Sequence, residues 1–316
     1  MRRALALLLI AFATGALAQA WPARPVKLVV PFGAGGNTDL ATRITAERLT
    51  AVLGRPFLVE NRLGASGIIA AEYVLKSEPD GYTFFIGSPQ QVSVLPLFAK
   101  LSFDPQRDFV PVVMVASNPF VLGIHASLPA KNLREFTDYV KARPGQLSYG
   151  SGGVGTIGHL SGALYLARAG LQMVHVPYKS GPQGVGDLAG GQLQMYFGTP
   201  SDIIPHARSG KITLLAVSSE KRLREIPEVP AIAETYPGFN LYSWAGLLAA
   251  AGTPRDIVER LAHEVTRVVA EPEVIARIEK IGLVPSGVAL NEFAELLRRE
   301  QPLWAEVVKT AGIRPE

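Results

Sequence analysis

The chain has 316 residues, no cysteine, 31 lysines and arginines against 27 acids, and 48% apolar residues. Lack of cysteine excludes a disulfide framework, a lipid-anchoring cysteine and metal–thiolate chemistry. A net charge of only +4, with no basic stripe interleaved with aromatics, excludes an electrostatic nucleic-acid binder. The length suggests two domains of roughly 150 residues each.

Residues 1–20 read as a secretory signal. Arg2 and Arg3 form the positive end, Ala4 to Leu17 the apolar run, and Ala16-Leu17-Ala18 or Ala18-Gln19-Ala20 a small-x-small cleavage site. The apolar run is too short for a comfortable membrane span. Export is therefore expected, with cleavage near Ala18–Ala20 and a mature protein that relies on large cores.

The first unit of the mature chain is a strand, Val26–Val30, then the loop Pro31-Phe32-Gly33-Ala34-Gly35-Gly36, then a helix carrying Leu40, Ile44 and Val52. Asn37 or Thr38 is expected to cap that helix. Glycines let the backbone turn tightly and approach a ligand. The helix start offers free N–H groups and the positive end of the dipole, which suits a carboxylate or phosphate. Asp39 and Arg43, one turn apart, are placed to pair on the helix.

The pattern repeats. Pro56–Asn61 reads as a strand followed by the loop Gly64-Ala65-Ser66-Gly67 and a helix through Leu75. Tyr82–Ile86 is a strand ending at Gly87-Ser88-Pro89-Gln90. Such alternation indicates a parallel sheet, and ligands of parallel sheets lie at the carboxyl ends of the strands. The three loops can then share one site. Val110–Ala116 and Phe120–Ile124 read as two strands, the second crossing into another domain. After a helix carrying Leu133, Phe136, Tyr139 and Val140, the strand Leu147–Tyr149, the loop Gly150–Gly158 and a helix carrying His159, Leu160, Ala163, Leu164 and Leu166 form the second-domain counterpart of the opening unit. Further strands are expected over Met173–Val176, Gln194–Thr199 and Ile212–Val217, with the return crossing near Tyr242–Ala251. Three helices close the chain over 254–270, 272–280 and 291–311, the last kinked at Pro302.

Several chemistries can be weighed on residues. Gly153-Val154-Gly155-Thr156-Ile157-Gly158 matches a dinucleotide fingerprint, but the next strand ends without an acid, the first being Asp187. There is no G-x-S-x-G or H-E-x-x-H, and the five histidines have no metal spacing. His159, beside the glycine loop, reads as a capping or packing residue or as a ligand group. Lys179 reads as an exposed strand-exit lysine or as a partner for an anionic ligand. Glycine loops from both halves, rich in donors and poor in catalytic groups, point to binding.

The chain resembles the Bug-type receptors of tripartite tricarboxylate transporters. The resemblance rests on Trp21-Pro22-Ala23-Arg24-Pro25, Val30 to Asp39, Val59-Glu60-Asn61-Arg62 with Gly64 to Gly67, and Asp80-Gly81-Tyr82-Thr83. It continues through Asp108 to Val112, Tyr149 to His159, Val176-Pro177-Tyr178-Lys179, and Trp244 through Gly252-Thr253-Pro254. It implies an α/β type II periplasmic binding protein: two α/β domains, two crossover segments and a ligand cleft between them. The expected division is 21–122 with 240–316, and 123–239. A periplasmic receptor for a small organic carboxylate is implied, with no catalysis, cofactor or metal, monomeric, and served by the membrane subunits of such a transporter. The alternative is a secreted hydrolase-like enzyme using Ser151 or His159.

The expected ligand-binding residues are Phe32, Gly33, Ala34, Gly35, Gly36, Asn37, Thr38 and Asp39 of the opening loop, and Ser66, Ser88 and Gln90 of the next two. From the second domain come Ser151, Gly152, Gly153, Thr156 and His159, with Tyr178, Thr199 and Asp202 at later strand exits. The hydroxyls of Ser151 and Thr156 are expected to donate to a ligand oxygen. Departures from the family pattern are Gly198 where an acid is common, Ser180, Ser88-Pro89-Gln90-Gln91, and Leu95. Without an acid at Gly198, plain carboxylic acids are expected to bind better than aspartate.

Overall fold

A computed structural model describes residues 21–312. The expected secretory leader lies outside them. Two sheets carry the chain. The first holds β1 (Val26–Val30), β2 (Phe57–Asn61), β3 (Thr83–Gly87), β4 (Phe109–Pro119), β10 (Tyr242–Ala250) and β11 (Val284–Pro285), in the order β11-β4-β10-β3-β1-β2. The second holds β5 (Val121–His125), β6 (Ser148–Ser151), β7 (Val174–Pro177), β8 (Met195–Gly198) and β9 (Ile212–Val217), in the order β7-β6-β8-β5-β9. Among the described residues no helix is long and apolar enough to cross a membrane.

The sheets are mixed rather than wholly parallel as the alternation suggested. β1 runs parallel to β2 and β3, and β6 to β7 and β8. β10 lies antiparallel between β3 and β4, and β5 antiparallel between β8 and β9. The cause is topological. β4 carries the chain out of the first sheet and β10 brings it back, so these neighbours must oppose.

Periodicity explains the helices that cover the sheets. α1 (Asn37–Leu53) buries Ala41, Ile44, Thr45 and Leu49. After α2 (Ile68–Leu75) and the short α3 (Pro105–Asp108), α4 (Leu133–Lys141) buries Leu133, Phe136 and Val140. Asn132 caps α4 by accepting from the Glu135 N–H at 2.9 Å, while Glu135 reaches back to the Lys131 N–H. In the second half stand α5 (Ile157–Ala169), α6 (Gly181–Ala189) and α7 (Pro200–Arg208). α6 buries Val185 and Leu188 and α7 buries Pro200, Ile203 and Ile204 at helical spacing, although α6 carries three glycines and α7 two prolines. α8 (Arg255–Val269) shows a regular stripe of Val258, Leu261, Ala262, Val265, Val268 and Val269, and α9 (Pro272–Lys280) follows it.

The last helix, α10 (Leu290–Thr310), belongs to both halves. Phe293 packs edge-on against Trp244 of the first sheet, with ring centres 5.2 Å apart. Trp304, Val307 and Val308 are buried in the core that also holds Leu160 and Leu164 of α5. The two crossing segments are themselves laced together. Ser218, fully buried, accepts the Phe120 N–H on its hydroxyl at 2.9 Å and donates that hydroxyl to the Leu241 carbonyl.

Candidate functional site

The opening loop leaves β1 at its carboxyl end, as expected, but the helix cap is neither Asn37 nor Thr38. Gly36, in extended backbone, is the N-cap and provides no side chain. Asp39 acts in its place from inside the first turn, accepting the Gly35 N–H at 2.8 Å. The N–H groups of Asn37, Thr38 and Asp39 therefore have no protein acceptor among the described residues. They stand at the positive end of a 17-residue helix beside an exposed stretch, Gly33 to Gly36.

Asp39 is 1% exposed and saturated. Its Oδ1 accepts from Asn61 Nδ2 at 2.8 Å, and its Oδ2 from Arg43 Nε at 2.9 Å as well as from Gly35. Burial would raise its pKa, but the hydrogen bonds from Arg43, Gly35 and Asn61 and the charge of Arg43 bring it below the ordinary value. The expected Asp39–Arg43 pair is present, and it braces the loop. Gly35 has φ +84°, a left-handed turn that favours glycine. A Cβ there would meet nothing within 4 Å, so this glycine serves backbone geometry rather than clearance.

The three first-domain loops do converge. Asn61 Nδ2 also donates to the Phe32 carbonyl at 3.0 Å. Gly67 packs so tightly that a Cβ would stand 2.9 Å from Pro31 Cβ and 2.7 Å from Gln91 Nε2. Gln91 Nε2 donates to the Ser66 carbonyl at 2.8 Å, and Ser88 Oγ donates to Gln91 Oε1 at 2.7 Å. Ser88 is buried, Ser66 exposed, and Gln90 half-buried. Gln91 is the tie that sequence reasoning passed over. Its signal was the Gln90-Gln91 pair standing where the family usually has other residues.

On the second half, the loop after β6 is braced from within. Ser151 is fully buried, and its Oγ lies 2.7 Å from His175 Nε2 and 3.1 Å from the Gly153 carbonyl. Thr156 is the N-cap of α5, its Oγ1 accepting the His159 N–H at 3.4 Å and donating to the Gly153 carbonyl at 2.8 Å. The two hydroxyls expected to face a ligand thus hold Gly153 instead. His159 is a packing histidine: 4% exposed, it stacks on His175 at 3.9 Å and accepts the Gly155 N–H on Nδ1 at 3.1 Å. Burial, and then the neighbouring His175, lower its pKa to about 4, so the ring stays neutral. Ser151 and His175 have the spacing of a nucleophile and base. Yet Ser151 is sealed from solvent, and its partner is His175, not His159.

The later strand exits gather beside this loop. The Tyr178 N–H donates to the Ser151 carbonyl at 2.8 Å, while burial and then Asp187 push its phenol up to about 12. Gly152 lies against Gly181, the first residue of α6, with 3.5 Å from its Cβ position to the Gly181 nitrogen. Thr199 Oγ1 stands 3.0 Å from Ser201 Oγ, and Asn37 Nδ2 donates to that same Ser201 Oγ at 3.3 Å. The two halves meet at this point. Lys179 is exposed. The charge argument built on Gly198 does not hold. A Cβ there would point at Ile203 (3.2 Å) and Val185 (3.4 Å), into apolar core rather than toward the cleft. Among the described residues no three His, Asp or Glu side chains cluster as a metal site.

A family model described as "Tripartite tricarboxylate transporter family receptor" matches residues 41–313. The chain is 35% identical over 291 residues to a UPF0065 protein from the tcbD-tcbE intergenic region of Pseudomonas sp. strain P51, covering 92% of this chain and 87% of that one. It is 32% identical over 326 residues to protein BugT of Bordetella pertussis, covering 99% of each. Among solved structures, R. palustris Rpa4515 with adipate aligns with a TM-score of 0.81 at 36% identity, covering 94% of this chain and 100% of that one. MatC from Rhodopseudomonas palustris with bound malate aligns with a TM-score of 0.75 at 31% identity, covering 91% and 100%. With its two sheets joined by two crossings and these relatives along nearly its whole length, the chain belongs to the tripartite tricarboxylate transporter receptor family of periplasmic solute-binding proteins.

Proposed function

We propose that this protein is an exported receptor that captures a small organic carboxylate in the cleft between its halves and presents it to the membrane subunits of a tripartite transporter. The domains in this reading are 21–122 with 240–316, and 123–239, and the receptor acts as a monomer without catalysis. The observation that carries it is the uncapped start of α1, where the Asn37, Thr38 and Asp39 N–H groups lack protein acceptors beside an exposed glycine loop. A carboxylate seated there replaces water with charge-assisted bonds, each contributing about 1.5–3 kcal/mol. A few such bonds, less the cost of closure, correspond to micromolar affinity, about −8 kcal/mol.

The relatives seen with adipate and with malate support a carboxylate as the cargo. Titration calorimetry over mono-, di- and tricarboxylates tests the reading. One of them is expected to bind stoichiometrically and to be recovered unchanged from the complex. Conversion of the bound acid to another compound, or failure of every acid in the panel to bind, overturns it.

A further inference from the structure

The two acids placed near the cleft differ in one respect. Asp39 is fully bonded and paired with Arg43. Asp202 takes part in no ion pair among the described residues. It stands in the first turn of α7, at the carboxyl end of β8, next to the Ser201 that receives Asn37 from the other half. Its Oδ2 lies 3.0 Å from the point where a Cβ on Gly181 would be, and the Tyr196 hydroxyl lies 3.9 Å from that point. The same hydroxyl is 3.8 Å from the Cβ position of Gly152. The exits of β7 and β8 therefore meet at this carboxylate, and the exit of β6 lies beside them against Gly181 and the Tyr196 hydroxyl.

Gly181, bare of a side chain, lies beside that carboxylate, and Gly152 lies beside Gly181 and the Tyr196 hydroxyl. Burial pushes its pKa upward, with only the Thr199 hydroxyl pulling the other way. The Tyr196 phenol is pushed up by burial and then by the charge of Asp202. Lys179 points to solvent, and Asp187 acts on Tyr178 rather than here.

Resting on the receptor reading above, we infer that Asp202 selects carboxylates that also carry a hydrogen-bond donor, a hydroxyl or an ammonium group, which it accepts from the second-domain side. The first half offers backbone N–H groups to a carboxylate. The second half offers an unpaired acceptor charge. A ligand with an anion at one end and a donor at the other satisfies both. A fully ionised plain diacid leaves two carboxylates facing each other at low dielectric, an arrangement that demands a proton. This reverses the preference expected from Gly198.

The test uses the mature protein and its isosteric variant Asp202→Asn, each titrated with succinate, 4-hydroxybutyrate and 4-aminobutyrate in two buffers of different ionisation enthalpy. Wild type is expected to bind 4-hydroxybutyrate or 4-aminobutyrate at least tenfold more tightly than succinate. It should take up a proton only with succinate, the one ligand with a carboxylate at both ends. Asp202→Asn should weaken 4-hydroxybutyrate and 4-aminobutyrate by about tenfold, strengthen succinate, and abolish that proton uptake. Matching melting curves for the two proteins establish that the variant is folded. Succinate binding tightest to wild type, or the same ranking in Asp202→Asn, overturns the role of Asp202 while leaving the receptor reading intact. Absence of binding by all three acids to both proteins counts against the receptor reading itself, and against the Asp202 role with it.

Discussion

Asp39 shows how one side chain fixes the backbone of the candidate site. Its carboxylate accepts the Gly35 N–H, Asn61 and Arg43, and so fixes the turn that leaves the next three N–H groups unpaired. Removing it leaves three donors without this acceptor, Gly35 and Arg43 exposed and Asn61 half-buried, so each costs less than the about 1–3 kcal/mol of a fully buried unsatisfied group. Asp39→Ala is expected to lower stability by about 2 kcal/mol and to weaken carboxylate binding at least tenfold. Urea unfolding and calorimetry on the same preparation measure both. Unchanged affinity in a destabilised variant would separate the brace from the site. The Asp39–Arg43 pair was legible from its i, i+4 spacing, whereas Asn61, 22 residues away, was not.

Among the elements, α10 carries a charge that its packing does not favour. Glu300 is half-buried where the helix passes from one half to the other, and its Oε2 accepts Trp244 Nε1 at 3.2 Å and Trp304 Nε1 at 3.4 Å. Burial raises its pKa to about 7, against the pull of hydrogen bonds from Trp244, Trp304 and Tyr242. The folded state therefore holds this proton to a higher pH than the unfolded chain, whose value is near 4.5. Stability from this group is complete below pH 4.5 and is lost as pH rises toward 7. Glu300→Gln keeps an acceptor without the charge. At pH 8 it is expected to raise stability by up to about 3 kcal/mol, and at pH 4.5 to change little. Equal effects at both pH values would show that the carboxylate is not buried in its charged form. The buried stripe of α10 was readable from periodicity at Phe293, Trp304, Val307 and Val308. Its division between two cores was not, because Trp244, against Phe293, and Leu164, in one core with Trp304, lie 49 and 140 residues away.

At the scale of the molecule, the halves are joined by two crossings that share Ser218. Its hydroxyl bonds to Phe120 on the outgoing segment and to Leu241 on the returning one, and its N–H donates to the Phe120 carbonyl at 2.8 Å. Ser218→Ala leaves a buried N–H and a buried carbonyl without that partner, at a cost of about 1–3 kcal/mol. It is expected to lower the melting temperature by several degrees and to weaken ligand binding without changing any cleft residue. Differential scanning calorimetry with and without ligand reads both effects. An unchanged melting temperature would show that the crossings are held by other contacts.

The sequence by itself determined what depends on near neighbours. The strand runs, the helical stripes, the glycine loops at strand ends and the Asp39–Arg43 pair all follow from spacing within a few residues. The family segments extended that reading to two domains with a cleft. The tertiary structure decided which way each polar group points. Ser151 turns inward because β7 brings His175, 24 residues on, within 2.7 Å of its hydroxyl. Gly198 faces apolar core because β8 presents that side to Ile203 and Val185. Asp202 is left without an ion pair among the described residues because the order of the strands brings it to Gly181 and Tyr196 rather than to a cation. Hydrogen bonds act over about 3 Å, while these partners are separated by up to tens of residues along the chain. Only the packing of the sheets brings them within reach.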